Sequence, residues 1–334
     1  MPATTKFTRE SDFRRERDFG AKFGATFEFV TAQFRPLVKC LAYFVLPGAL
    51  VGGIGLGLVM GKFLTLAARN GRTALGGSVT VSQPFGANPF LDGASMLGFG
   101  LAALGFLAAF LLLTATVYGF VRVRLRTPPA EPVQPRQVWA VVWDRLGSVV
   151  GAWLLLSVVL VIGMGVVGGA LALLGPGFVL LLFPVLLWLI VCLTLYFPAL
   201  WMEDAGVVAA FRRSFYLIKG KWWSTLGLYV VMSLVTGIIN YLFLIPMYAL
   251  MMARMLVPTP SLDSNLLNVA ATSVYALGWI FTAVLPLVAM LFQYFNLVER
   301  RDGVGLRQLV SALGQTPVPQ VSSAAYRPDE EGEY

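Results

Sequence analysis

Between Arg145 and Glu203 the chain runs 57 residues, Leu146 to Met202, without one Asp, Glu, Lys or Arg. In water a helical stretch of that length has to present a charged face somewhere. A helix needs about 20 apolar residues to cross the hydrocarbon core of a bilayer, so this run is long enough for two crossings. Gly175-Pro176-Gly177 divides it, because the proline ring and two flexible glycines end one helix and begin another. Four more uncharged runs hold one crossing each: Cys40 to Gly61, Gly93 to Val121, Trp222 to Ala253 and Ser264 to Val298.

Only 13% of the residues are charged, against about 25% in a soluble domain. The sequence therefore predicts an all-α integral membrane protein with six transmembrane helices, at 40–61, 95–121, 147–174, 178–202, 222–252 and 268–298. Residues 1–36 form an amino-terminal segment, 37–298 the membrane domain, and 299–334 a polar tail expected to be disordered after 317. The first 39 residues are polar and arginine-rich rather than apolar, so no cleavable signal peptide is expected and the first span serves as the insertion signal.

Orientation follows from the cations. With the amino terminus inside, 21 Lys and Arg fall on inner segments, leaving Lys62, Arg69, Arg72 and Arg254 outside. The positive-inside rule then places both termini in the cytoplasm. The net charge of +8 is accounted for by anionic inner-leaflet lipid, and no nucleic-acid partner is expected.

Short amphipathic stretches precede alternate spans. Phe19, Phe23, Phe27, Val30 and Phe34 recur at helical spacing ahead of the first, with Lys22 and Glu28 off that stripe. Trp139, Val142, Trp143 and Leu146 do the same ahead of the third, after Pro135 in a first helical turn. Val207, Phe211, Phe215 and Ile218 precede the fifth, and Gly220 is placed to end that helix. Thr26 to Val30 resembles Ser214 to Ile218, and Tyr196-Phe197 ahead of Glu203-Asp204 resembles Tyr294-Phe295 ahead of Glu299 and Asp302. The expectation is three units, each an interfacial helix followed by a two-span hairpin.

Small residues mark where helices approach closely. Ala49, Gly53, Gly57 and Gly61 make a ridge on the first span, and Gly98, Ala102, Gly105 and Ala109 make one on the second. The Gly52-to-Gly57 stretch GGIGLG has no preceding strand and lies inside a span, which argues against a dinucleotide fingerprint.

The chain has no histidine, and its two cysteines, Cys40 and Cys192, sit in or beside spans. No catalytic residue, metal site or cofactor is expected from such a set. The predicted span interiors also lack charge, which argues against a proton-coupled pump. Thr236, Asn240, Gln293 and Asn296 are expected to bond across to neighbouring helices. Glu203 and Asp204 are read as favouring the positive start of the helix that follows them.

The stretch RRSFYLIKGKWW contains the residues best suited to a lipid headgroup: Arg212, Arg213, Lys219, Lys221, Trp222 and Trp223. Cations there attract anionic lipid and the indoles favour the headgroup layer. A generic anchor and a defined phosphate site both remain open.

The segments RRERDFGAKFGATFEFVTAQFRPLVK, EDAGVVAAFRRSFYLIKGKWW and QYFNLVERRDG resemble a six-span bacterial membrane family related to the membrane domain of glycerophosphodiester phosphodiesterases. The resemblance runs roughly from Phe13 to Gly314 and implies a bacterial inner-membrane protein. The family's enzymes add a soluble barrel domain with histidines and a metal, and such a barrel needs about 200 residues. This chain has no soluble segment of that size, so the resemblance carries over no phosphodiesterase reaction.

The expected function is a non-enzymatic accessory or scaffold module that engages inner-leaflet phospholipid and other membrane proteins, or a second copy of itself. The alternatives are a carrier or flippase-like transporter of an apolar or lipid substrate and, third, a membrane-embedded hydrolase. A cavity between hairpins favours the carrier, and a closed bundle favours the scaffold.

Overall fold

The computed structural model describes residues 7–8, 10–74, 92–128, 131–174, 177–257, 262, 264–304, 307 and 310. Residues 75–91 and the tail after 317 lie outside the described residues. Among these, all regular structure is helical: α1 (Glu10–Phe13), α2 (Phe19–Ala32), α3 (Phe34–Phe44), α4 (Leu46–Ala74), α5 (Gly93–Arg126), α6 (Pro135–Asp144), α7 (Leu146–Leu174), α8 (Gly177–Leu193), α9 (Tyr196–Met202), α10 (Val207–Ile218), α11 (Trp222–Leu256) and α12 (Asn265–Asp302). Six segments are long and apolar enough to cross a bilayer: Leu46–Leu64, Gly93–Arg126, Leu146–Leu173, Leu182–Met202, Trp222–Leu256 and Asn265–Asp302. Six such helices are consistent with a multi-pass membrane protein.

Two expected spans are broken. The first long helix starts at Leu46 rather than near residue 40, because the chain bends at Val45 between α3 and α4. Pro47 lies in the first turn of α4, where its missing N–H costs nothing to the new helix but cannot continue the old one. The fourth span likewise divides into α8 and α9, with Pro198 in the first turn of α9. Pro184, Pro246 and Pro286 instead stay inside long helices.

The tight centre of the bundle is α4 packed between α5 and α12. The glycines of α4 form two faces, not one. A Cβ on Gly48, Gly52 or Gly55 would run into the α5 backbone at Ala109, Phe106 and Ala102, whereas on Gly53, Gly57 or Gly61 it would meet α12 at Ala276, Val269 and Asn268. The ridge of Ala49, Gly53, Gly57 and Gly61 thus faces α12. The α5 ridge of Gly98, Ala102, Gly105 and Ala109 meets the other α4 face, with Gly105 against Gly52 and Gly98 against Gly55. Close approach frees polar contacts as well: Thr272 Oγ1 donates to the Gly53 carbonyl at 2.8 Å.

The short helices gather at one end, called the basic end below. There α2 packs on α11 and α12 with Lys22, Ala25, Thr26 and Phe29 inward, while Phe19 stays exposed. Phe23, Phe27 and Val30 of the stripe also pack, half-buried, against Leu228, Met232, Leu285, Ala289 and Met290, so the face turned to the protein includes part of the phenylalanine stripe and, beside it, the polar Lys22. A polar group at a helix face beside lipid needs such a protein partner.

At the opposite end Arg254 is buried, although the sequence placed it in an outer loop. The helix continues to Leu256, and the guanidinium bonds the Leu262 carbonyl, Asn268 Oδ1 and the Gly61 carbonyl. Arg122 and Arg124 are similarly buried in the last turns of α5, which extends past the predicted end of its span.

Candidate functional site

An apolar cavity of about 470 Å³ opens among α5, α7, α8, α11 and α12. On α5 it is lined by Phe110, Thr114 and Tyr118, and on α12 by Trp279, Ala283, Pro286, Leu287 and Met290. Trp153 and Leu160 of α7, Ile190 of α8, Phe197 of α9, and Tyr229 and Thr236 of α11 complete the wall. Pro286 has no N–H to donate back to the Thr282 carbonyl, and such a gap in the ladder bends a helix away from its neighbours.

A second apolar cavity, about 550 Å³, is lined by Leu56, Phe106, Leu107, Phe110, Tyr275 and Trp279. The two cavities share Phe110 and Trp279, whose rings lie 5.8 Å apart. Phe106 meets Trp279 edge-on at 5.9 Å and Trp153 meets Phe110 at 5.1 Å. The aromatic cluster therefore stands as a partition between two spaces arranged in sequence along α5 and α12. From Phe106 to Tyr118 the rise is about 18 Å at 1.5 Å per residue, more than half of a hydrocarbon core about 30 Å thick.

The wall is almost wholly apolar, but two of its polar atoms are buried without a hydrogen-bond partner among the described residues: Trp153 Nε1 and Thr236 Oγ1. Of the two residues, Thr236 was expected to bond across to a neighbour. Helix α7, which closes one side, is the least enclosed of the six, with 6% of its span buried against 56% for α12.

The basic end holds three polar clusters. In the first, Asp204 pairs with both Arg122 and Arg145, and these arginines also donate to the carbonyls of Trp201, at 2.5 Å, and Leu200, at 3.1 Å. They thereby satisfy the open carbonyl end of α9. In the second, Arg213 pairs with Glu203 at 2.8 Å and with Asp302, while the Tyr294 hydroxyl donates to Glu203 at 2.8 Å. Burial opposes the Arg213 charge, but the two carboxylates hold its pKa above the ordinary value. Glu203 closes α9, and Gly206, not an acid, precedes α10. The two acids therefore tie helices together instead of favouring the start of α10, and Asp204 adopts φ of 53° to do so.

In the third cluster Lys22 is 2% exposed and donates to Gln293 Oε1 at 2.7 Å and Ser224 Oγ at 3.3 Å. Gln293 Nε2 donates in turn to Thr225 Oγ1 at 2.8 Å, and Asn296 Oδ1 accepts from the Arg17 amide at 2.8 Å. Burial first, then repulsion by Arg300 and Lys221, brings the Lys22 pKa down to about 8 against the pull of Asp18.

The headgroup residues predicted from RRSFYLIKGKWW do not form one cluster. Arg212, Lys219, Lys221 and Trp223 are exposed and Trp222 is half-buried, whereas Arg213 is turned to Glu203 and Asp302. Cys40 and Cys192 are buried and unbridged. Sequence reasoning missed the cavities. Their only advance signal was a concentration of aromatic residues at mid-span together with Pro286. Compared with family models, curated proteins and solved structures, the chain matches none.

Proposed function

We propose that this protein is a carrier for a lipid or other long apolar molecule, which it takes up within the membrane and passes between the two cavities. The observation that carries the reading is the pair of apolar cavities meeting at Phe110 and Trp279. A closed bundle would have favoured the scaffold instead. Neither cavity is lined by a charged residue, so the carrier equilibrates its ligand rather than pumping it.

In this reading the short helices lie at the inner surface of a bacterial inner membrane, with both termini cytoplasmic, as the cation distribution supports. The six spans form three hairpins, each preceded by an interfacial helix, and Arg212, Lys219, Lys221, Trp222 and Trp223 hold that surface against phospholipid. The resemblance of the sequence to the phosphodiesterase membrane family supports a lipid-handling role.

The test is photo-crosslinking with a phospholipid carrying a diazirine near the end of one acyl chain. Peptides of α12 and α11 that contain Ala283 and Tyr229 should be labelled in the native protein and spared in Ala283→Phe, which projects a ring into the cavity. Labelling confined to outward-facing residues of α7 and α8, and unchanged by the substitution, would leave no carrier.

A further inference from the structure

A third cavity, about 460 Å³, lies at the basic end and is lined by Arg122, Arg126, Arg145, Asp144, Ser148, Asp204 and the Ala205-Gly206 backbone ahead of α10. Its surroundings differ in kind from those of the apolar pair. Three guanidinium groups face two carboxylates, and one carboxylate, Asp204, already serves two of the arginines. Positive charge is therefore in excess. Burial and the adjacent Arg122 and Arg126 disfavour the charged form of Arg145, as expected where cations are crowded without enough anion.

Two of the arginines are also fixed in place. Arg122 and Arg145 are braced by α9 carbonyls as well as by Asp204, so little rotamer entropy is left to lose on binding. Arg122 is 8% exposed and its Nε is buried without a partner among the described residues. Facing them is the start of the 12-residue helix α10, whose N-cap is Gly206 and which has no side-chain cap for its first-turn amides. Fixed guanidinium forks opposite open helix amides suit a tetrahedral oxyanion.

Position links this cavity to the apolar one. Phe110, Thr114 and Tyr118 line the apolar space, and Arg122 and Arg126 are the next two residues at the same four-residue interval on α5. Each step rises about 6 Å. On α7 Ser148 belongs to the basic cavity and Trp153 to the apolar one, a rise of about 8 Å.

We infer that the basic cavity is a binding site for a phosphate group, the head of an amphiphile whose tail occupies the apolar cavities. The assignment of the tail rests on the carrier reading, while the phosphate site stands on its own residues. A phosphate there is held by a charge-assisted bond from Arg126 and by the first-turn amides of α10, with the positive charges of Arg122 and Arg145 behind them.

The experiment uses the full chain in a non-ionic detergent with three probes: lysophosphatidic acid, a monoacylglycerol of the same chain, and inorganic phosphate. Binding is read by native mass spectrometry and calorimetry. Arg126→Ala is the informative variant, because Arg126 is exposed and braces no helix end among the described residues, and Arg35→Ala, an exposed cation of α3 that does not line the cavity, is the control. Lysophosphatidic acid should bind roughly tenfold or more tighter than the monoacylglycerol, a ratio typical of a charge-assisted contact. Arg126→Ala should remove most of that advantage, Arg126→Lys should restore part of it, and Arg35→Ala should leave it intact. Inorganic phosphate that binds in an Arg126-dependent way while neither amphiphile does would identify free phosphate as the ligand and overturn the carrier reading alone. If the monoacylglycerol and the phosphate lipid bind equally, or if Arg35→Ala lowers the advantage as much as Arg126→Ala, the phosphate site is overturned and the carrier stands. No binding of any probe overturns both.

Discussion

Lys22 offers a prediction whose sign and size follow from its surroundings. The ammonium is 2% exposed and rests on an amide and a hydroxyl, Gln293 and Ser224, with no carboxylate in hydrogen-bond contact among the described residues. Its pKa falls from 10.5 to about 8 in the folded protein. A lysine whose folded value lies below its unfolded value binds fewer protons when folded across that interval, so stability rises with pH there. The full penalty, about 3 kcal/mol at 1.36 kcal/mol per pKa unit, is present below pH 8 and disappears above pH 10.5. Between pH 7 and pH 9.5 the gain amounts to about 2 kcal/mol, before tyrosine ionisation enters. Lys22→Met removes the buried cation but leaves the Gln293 carbonyl oxygen without its donor, a loss of about 1–3 kcal/mol, so at pH 7 the two changes nearly cancel. The slope separates them. Thermal melting followed by intrinsic fluorescence should rise by several degrees from pH 7 to pH 9.5 in the native protein and stay flat in Lys22→Met. Parallel curves for the two proteins would refute the assignment of a buried, carboxylate-free cation to this position.

Three further outcomes are expected. Gly55→Ala places a methyl against the α5 backbone at Ala102 and should cost about 1–3 kcal/mol as an overpacked contact, while Gly100→Ala, with open space around it, should leave the melting temperature unchanged or slightly raised. Asp302→Asn weakens one arm of the Arg213 cluster, and Glu203→Gln weakens the other together with the Tyr294 bond; each should cost about 1–2 kcal/mol, and the double variant should cost less than the sum in a denaturant titration because both act on one guanidinium. For orientation, single cysteines replacing Gly76 and Ala130 should behave oppositely in sealed cells, with position 76 labelled by an impermeant thiol reagent and position 130 protected.

The membrane class was legible because it depends on run lengths, and five long runs free of charge, one of them long enough for two crossings, leave little else for the chain to be. The close α4–α5 and α4–α12 approaches could be anticipated in kind from the glycines. Which face meets which helix could not, since GGIGLG offers small residues on two faces at once and only the assembled bundle assigns them. The phenylalanine stripe of α2 told part of what turns inward. Phe23, Phe27 and Val30 do pack on α11 and α12, but Lys22 beside them is the more deeply buried, because its ammonium finds polar partners on the same two helices. Glu203 and Asp204 sit adjacent in sequence but serve different clusters, because a residue in the left-handed region directs the second carboxylate away from the first. The cavities were illegible for a different reason. An apolar wall facing a space and an apolar wall facing another helix are written with the same residues.

The central claim is that an apolar ligand passes between the two cavities across the Phe110–Trp279 partition. Transfer of a tail-labelled phospholipid between leaflets of proteoliposomes, followed by quenching from outside, measures this directly. The native protein should accelerate transfer over protein-free vesicles, Ala283→Phe should abolish the acceleration at unchanged thermal stability, and Phe110→Ala, which thins the partition, should increase it. Transfer at the protein-free rate in all three preparations, with the lipid nonetheless bound, would contradict the carrier and leave a static lipid-binding module.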